Sequence, residues 1–146
     1  MRRFPAGVAV VSVDLEGERL ALTIGTLIPL SIAPPLVGFA IRRDAALHEL
    51  LRRTGAFGVS LLGADQIEVA QHFARGVPPI AHWQGITLLE RDGPPLIADA
   101  IGWLTGRVSS ELPTGEDTFF VGEVLSVEDG ARGPRLVYVD RGYASV

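Results

Sequence analysis

At 146 residues and 47% apolar content, the chain is long enough for one domain with a real core and too apolar for disorder, so residues 1–146 read as a single globular domain. A formal net charge of −4, with the arginines scattered among acids, provides no basic stripe for a nucleic-acid backbone and excludes nucleic acid as a partner. The chain has no cysteine, which removes disulfides, thiolate nucleophiles and cysteine metal sites and accords with a cytoplasmic location.

At the N-terminus, two arginines precede a short apolar run that soon meets Asp14 and Glu16 without a small-residue cleavage site, so residues 1–13 read as mature protein. Residues 7–13, GVAVVSV, form a β-branched run, and the charged, Gly-containing turn 14–18 leads into a second apolar run at 19–26, a hairpin pattern. The uncharged stretch 20–41 has the length of a membrane span. Pro29, Pro34 and Pro35 would break a helix there, and Thr23, Thr26 and Ser31 would lie unpaired in lipid, so no span is expected. Residues 36–41, entered through Pro34-Pro35, read as a third strand.

Asp44 is placed to cap a short helix with Leu47, Leu50 and Leu51 at helical spacing, Arg52 and Arg53 in its last turn and Gly55 as its stop. A strand at 56–62 follows. Asp65 then opens a second helix with Ile67, Ala70, Phe73 and Ala74 on one face, ended by Gly76 and Pro78-Pro79. Beyond Gly85 the pattern is strand-like, at 86–90, 101–109, 118–127 and 135–139. The fold class is therefore β-rich with short helices, and a closed or nearly closed barrel would remove the exposed edges.

Familiar catalytic patterns are absent. His48, His72 and His82 have no metal-ligand spacing, so no metal is expected, and neither a nucleophile elbow, a P-loop nor a dinucleotide-binding glycine motif occurs. Glu116 and Asp117 form an acidic pair in a turn marked by Pro113 and Gly115, where solvated carboxylates are common.

Three stretches in order, residues 4–11 (FPAGVAVV), 34–37 (PPLV) and 115–124 (GEDTFFVGEV), resemble the flavin reductase-like family. Residues 55–62 (GAFGVSLL), Asp65-Gln66 with His72-Phe73-Ala74, and Arg135-Leu136-Val137-Tyr138 extend the resemblance over nearly the whole chain. It implies an FMN-binding split barrel of Greek-key type, usually a homodimer. It also implies reduction of FMN or FAD by NADH or NADPH, with reduced flavin passing to a monooxygenase component.

The resemblance further implies that the segment 23–31 wraps the flavin, with Thr23, Gly25, Thr26, Leu27 and Ile28 as cofactor-binding residues. Backbone N–H groups and small side chains suit the ring edge. It places the phosphate near Arg42, Arg43 and Arg75, whose guanidinium groups match phosphate geometry. The chain departs from the family pattern at Ala45 and Leu47, where hydroxyl residues are frequent, and at Ala21 and Pro29. Asp117 stands where a histidine often meets the nicotinamide or flavin, and is the expected nicotinamide or flavin contact. An alternative reading is an FMN-binding or electron-carrier module without NAD(P)H reductase activity. A third is a scaffold that has lost its cofactor or binds haem or a deazaflavin instead.

Overall fold

The computed structural model describes residues 1–75 and 77–146, and strand accounts for 49% of the chain against 16% helix. Strand β1 (Ala6–Gly7) leads into β2 (Ala9–Leu15) and β3 (Glu18–Ile24), joined by a tight turn in which Glu16 and Gly17 both have positive φ, 53° and 89°. A two-residue hairpin loop of this kind matches the twist of the flanking strands, and Asp14 steadies it by accepting the Gly17 N–H at 3.0 Å. Next come β4 (Ile28–Ser31) and β5 (Leu36–Arg42), helix α1 (Ala46–Thr54), β6 (Ala56–Leu61) and helix α2 (Ile67–Ala74). A long hairpin of β7 (Gly102–Thr114) and β8 (Asp117–Asp129) precedes β9 (Leu136–Val139) and β10 (Gly142–Ser145).

Seven strands form one antiparallel sheet in the order β3-β2-β6-β7-β8-β5-β4, and β1, β9 and β10 form a small second sheet. The large sheet is an open, split barrel: it ends at β3 and β4 without a ladder between them, while Cα atoms of β3 and β5 come within 8 Å of each other. Because side chains alternate across a strand, the β2 run is buried on both faces. Ala9, Val11 and Val13 enter the main core with Phe39, Phe57, Phe120 and the leucines of α1. Val8, just before β2, and Val10 enter a second core with Ala70 and Phe73 of α2.

Several local expectations change. Asp44 does not cap α1; Ala45 is the N-cap, and the Asp44 carboxylate instead takes Nε and Nη2 of Arg42, each at 3.1 Å. At the other end Gly55 stops the helix as expected, with φ 70° and its N–H on Leu51 C=O at 2.8 Å. Asp65 opens a 3₁₀ turn rather than α2, and of the four residues expected on the buried face only Ala70 and Phe73 are buried. Gly76, the expected stop of the second helix, lies outside the described residues. Residues 86–90 form no strand. A single bridge joins Leu88 to Ile97, because Pro94-Pro95 intervene and the apolar side chains of Ile86 and Leu88 are spent on the second core. Strand β4 carries Pro29 and is exposed throughout, which is tolerated because it is an edge strand with an irregular register against β5.

Candidate functional site

Two adjoining cavities lie where β3 meets the end of α2, and Ala74 lines both. The first, about 240 Å³, is walled by Ala6, Val8, Ile24 and the backbone about Thr23 and Gly25, with Tyr138 and Tyr143 on its far side. Those two rings meet edge-on at 5.3 Å, and burial, then the neighbouring Tyr138, raises the Tyr143 phenol above its ordinary pKa. The second cavity, about 350 Å³, lies between β3 (Leu20, Ala21, Leu22), the start of α1 (Ala45, Ala46, Leu47) and the end of α2 (Phe73, Arg75), with His82 on its wall. Its lining is mostly apolar, and Arg75 and Asp44 bring exposed charged groups to it, the Asp44 carboxylate being paired with Arg42.

The residues singled out from sequence are distributed unevenly over this ground. Thr23 and Gly25 line the first cavity and Arg75 the second. The Thr23 hydroxyl, however, donates to Ala70 C=O at 2.7 Å and so ties β3 to α2. Thr26 is occupied as well: its Oγ1 donates to Ala40 C=O at 3.2 Å and accepts the Ala40 N–H at 3.0 Å, clamping the segment between β3 and β4 onto β5. Thr26→Val keeps the shape and removes both bonds, so a stability loss of about 1 kcal/mol is expected, read as a lower urea midpoint at unchanged slope. Leu27 lines a separate cavity of about 190 Å³ with Gly7, Leu61 and Leu136, and Ile28 pairs with Gly38 as the first residue of β4.

The three arginines also part company. Arg42 is held by Asp44 and lies 3.6 Å from Glu116; the hydrogen bond and charge of Asp44, then Glu116, raise its pKa, and Arg42 in turn lowers that of Asp44. Arg43 lines a different cavity, about 290 Å³, with His48, Arg52, Glu111, Pro113 and Thr118. There His48 Nε2 and Thr118 Oγ1 are 2.8 Å apart, and Arg52 pairs with Glu111 at 3.1 Å. Asp117 pairs across the sheet with Arg42 at the mouth of the β7–β8 turn and lines none of these cavities. Sequence reasoning overlooked Tyr143 and the cavity role of His82. Tyr143 follows the Asp140-Arg141 turn, where both residues have positive φ, and nothing in its local pattern marks it as lining a cavity.

An open antiparallel split barrel with a small slot beside the β3–β4 segment defines the class, and comparison with known proteins agrees. The chain belongs to the flavin reductase-like family, matching the flavin reductase like domain over residues 1–146. It is 39% identical over 143 residues to the reductase component of 4-hydroxyphenylacetate 3-monooxygenase from Thermus thermophilus, covering 98% of this chain and 90% of the relative. It is 36% identical over 127 residues to an NADH-dependent FAD reductase from Streptomyces globisporus, covering 84% of this chain and 69% of the relative. Among solved structures, the flavin reductase component of a bacterial two-component tryptophan halogenase superposes with a TM-score of 0.89 at 32% identity, over 99% of this chain and 92% of that one. An NADH:FAD oxidoreductase of Streptomyces globisporus, solved with NAD and FAD fragments, gives 0.90 at 30% identity, over 97% and 86%.

Proposed function

We propose that the whole chain, residues 1–146, is one flavin-binding domain that uses NADH or NADPH to reduce FMN or FAD and supplies the reduced flavin to a monooxygenase component. The observation that carries this reading is the pair of cavities meeting at Ala74 in a chain of this family, one apolar and aromatic, the other served by a guanidinium. The residues fit a flavin: an apolar slot with two phenols and free space beside the Thr23–Gly25 backbone suits a planar ring, and Arg75 suits a phosphate. Since the hydroxyl protons of Thr23 and Thr26 already go to Ala70 and Ala40 C=O, backbone N–H groups of the segment 23–28 are the donors left for the ring edge. A flavin held here would supply the hydride-accepting redox chemistry. The protein's part is to position the two rings, which requires no acid–base dyad. Arg42 and Asp117 form a charged cluster that reaches the second cavity only through Asp44, and a nicotinamide contact of Asp117 rests on the resemblance.

Of the two cavities, 240 Å³ falls below and 350 Å³ at the small end of ligand sites, roughly 300–1,000 Å³, and a second copy of the chain completes the site. Exposed Ile28, Leu30 and Ile32 around β4, with Leu125 and Val127 on β8, supply apolar surface for that homodimer. The test is NADH and NADPH consumption by the purified protein with and without added FMN or FAD. Consumption that rises with flavin and saturates is the expected result. Saturable FMN binding with no oxidation of either nicotinamide would leave an electron-carrier module in its place.

A further inference from the structure

Strand β3 ends the large sheet, so its outer backbone groups face no neighbouring strand. Two consecutive side chains of the segment 77–86 take the place of that strand. His82 Nε2 accepts the Ala21 N–H at 2.9 Å, and Trp83 Nε1–H donates to Arg19 C=O at 3.1 Å. An acceptor and a donor, one residue apart, thus reproduce the alternation of a strand edge. The aromatic packing holds them in register: Phe73 of α2 lies 5.3 Å from both rings, which lie 5.2 Å from each other at 74°. His72 Nε2 donates to His82 C=O at 2.7 Å and fixes the backbone of the same residue. His82 is 9% exposed, and its ring forms part of the wall of the cavity that Arg75 serves.

We propose that His82 is a positioning residue whose neutral ring latches the segment 77–86 to Ala21 and thereby shapes the Arg75 cavity, so that protonation of His82 releases the latch and loosens flavin. The inference rests on the assignment of that cavity to the flavin phosphate. An imidazole can accept the Ala21 N–H only through an unprotonated Nε2; the imidazolium has two donors and no acceptor, and would set N–H against N–H. The charged groups around it reinforce this. From α2, His72 adds like charge when protonated, and Arg75 shares the cavity. On β3 the Arg19 side chain is turned to Asp14 at 3.0 Å, and before α1 Asp44 is engaged by Arg42. Asp44 lines the same cavity as His82 but is engaged by Arg42, and the groups that favour the charged ring are the backbone of Val77 and Ala21.

Burial, and after it His72, hold the His82 pKa below the ordinary 6.5, against backbone contacts with Val77 and Ala21 that raise it. The native state therefore binds fewer protons than the unfolded one between the two values. The contribution of the latch is complete above about pH 6.5 and is lost as pH falls through the lowered native value.

The decisive experiment follows the Ala21 amide by NMR through a pH titration of the full chain, beside FMN affinity over the same range for wild type and His82→Gln. Glutamine offers an acceptor that does not titrate. The Ala21 resonance is expected to move with the His82 ring, and wild-type FMN affinity to fall by about tenfold as pH is lowered through the His82 titration. His82→Gln should retain only the shallow fall caused by protonation of the ligand's own phosphate. An Ala21 amide indifferent to His82 titration, or identical affinity profiles for the two proteins, overturns the latch. If FMN binds at no pH, the assignment of the cavity fails separately, and the Ala21 amide alone decides whether the latch exists.

Discussion

Phe57→Ala is expected to lower the stability of the protein by about 3–5 kcal/mol, the range for removing a fully buried phenyl ring. Phe57 sits at the centre of the main core, edge-on to Phe39 at 5.1 Å and 74°, and its ring presses on two glycines of the neighbouring hairpin. A Cβ at Gly122 would come within 2.5 Å of the Phe57 ring, and one at Gly106 equally close to the ring and 2.8 Å from Glu123 C=O. Gly122→Ala alone should therefore cost about 1–3 kcal/mol through overpacking. In the Phe57→Ala background the same methyl enters vacated space, so the double variant should lose clearly less stability than the sum of the two single losses. Guanidinium unfolding of the four proteins measures this coupling. Strict additivity would show that the ring does not rest on Gly122.

The same arrangement explains what could and could not be read from the residues. Runs such as GVAVVSV and the β7–β8 hairpin declared themselves because continuous or alternating apolar patterns have few other uses. Strand β4 was invisible: four exposed residues including Pro29 carry no alternation, and only pairing with β5 makes them a strand. Residues 86–90 erred in the opposite direction, since apolar side chains drawn to the second core mimic a strand whose ladder Pro94-Pro95 prevents. At the site, the resemblance pointed to Thr23, Gly25 and Arg75, and these do converge around Ala74. It could not reveal that Ala70 and Ala40 already occupy the two threonine hydroxyls, or that Asp44 closes on Arg42, because those partners are 47, 14 and 2 residues away and only the fold selects among them. Tyr143 and His82 acquire their places through contacts between distant segments, on which local periodicity has no bearing.

Arg75→Ala is expected to weaken FMN binding by about tenfold while leaving riboflavin affinity unchanged. The three candidate arginines differ in availability: Arg42 is engaged by Asp44 and Glu116, Arg43 faces the His48–Thr118 cavity, and Arg75 lines the cavity that shares Ala74 with the Thr23–Gly25 slot. A hydrogen bond to a charged group contributes about 1.5–3 kcal/mol, and exposure of Arg75 places its share at the lower end, about 1.4 kcal/mol for each tenfold. Riboflavin has the same ring and ribityl chain without the phosphate, so comparing the two ligands by fluorescence quenching separates loss of the phosphate contact from general damage to the site. The Arg75 effect should also shrink as salt is raised, because the pair is exposed and screened within about 10 Å at 0.1 M. Arg43→Ala should change neither ligand. Equal weakening of FMN and riboflavin by Arg75→Ala would place the phosphate elsewhere, and a selective loss of FMN in Arg43→Ala would move it to the cavity beside His48.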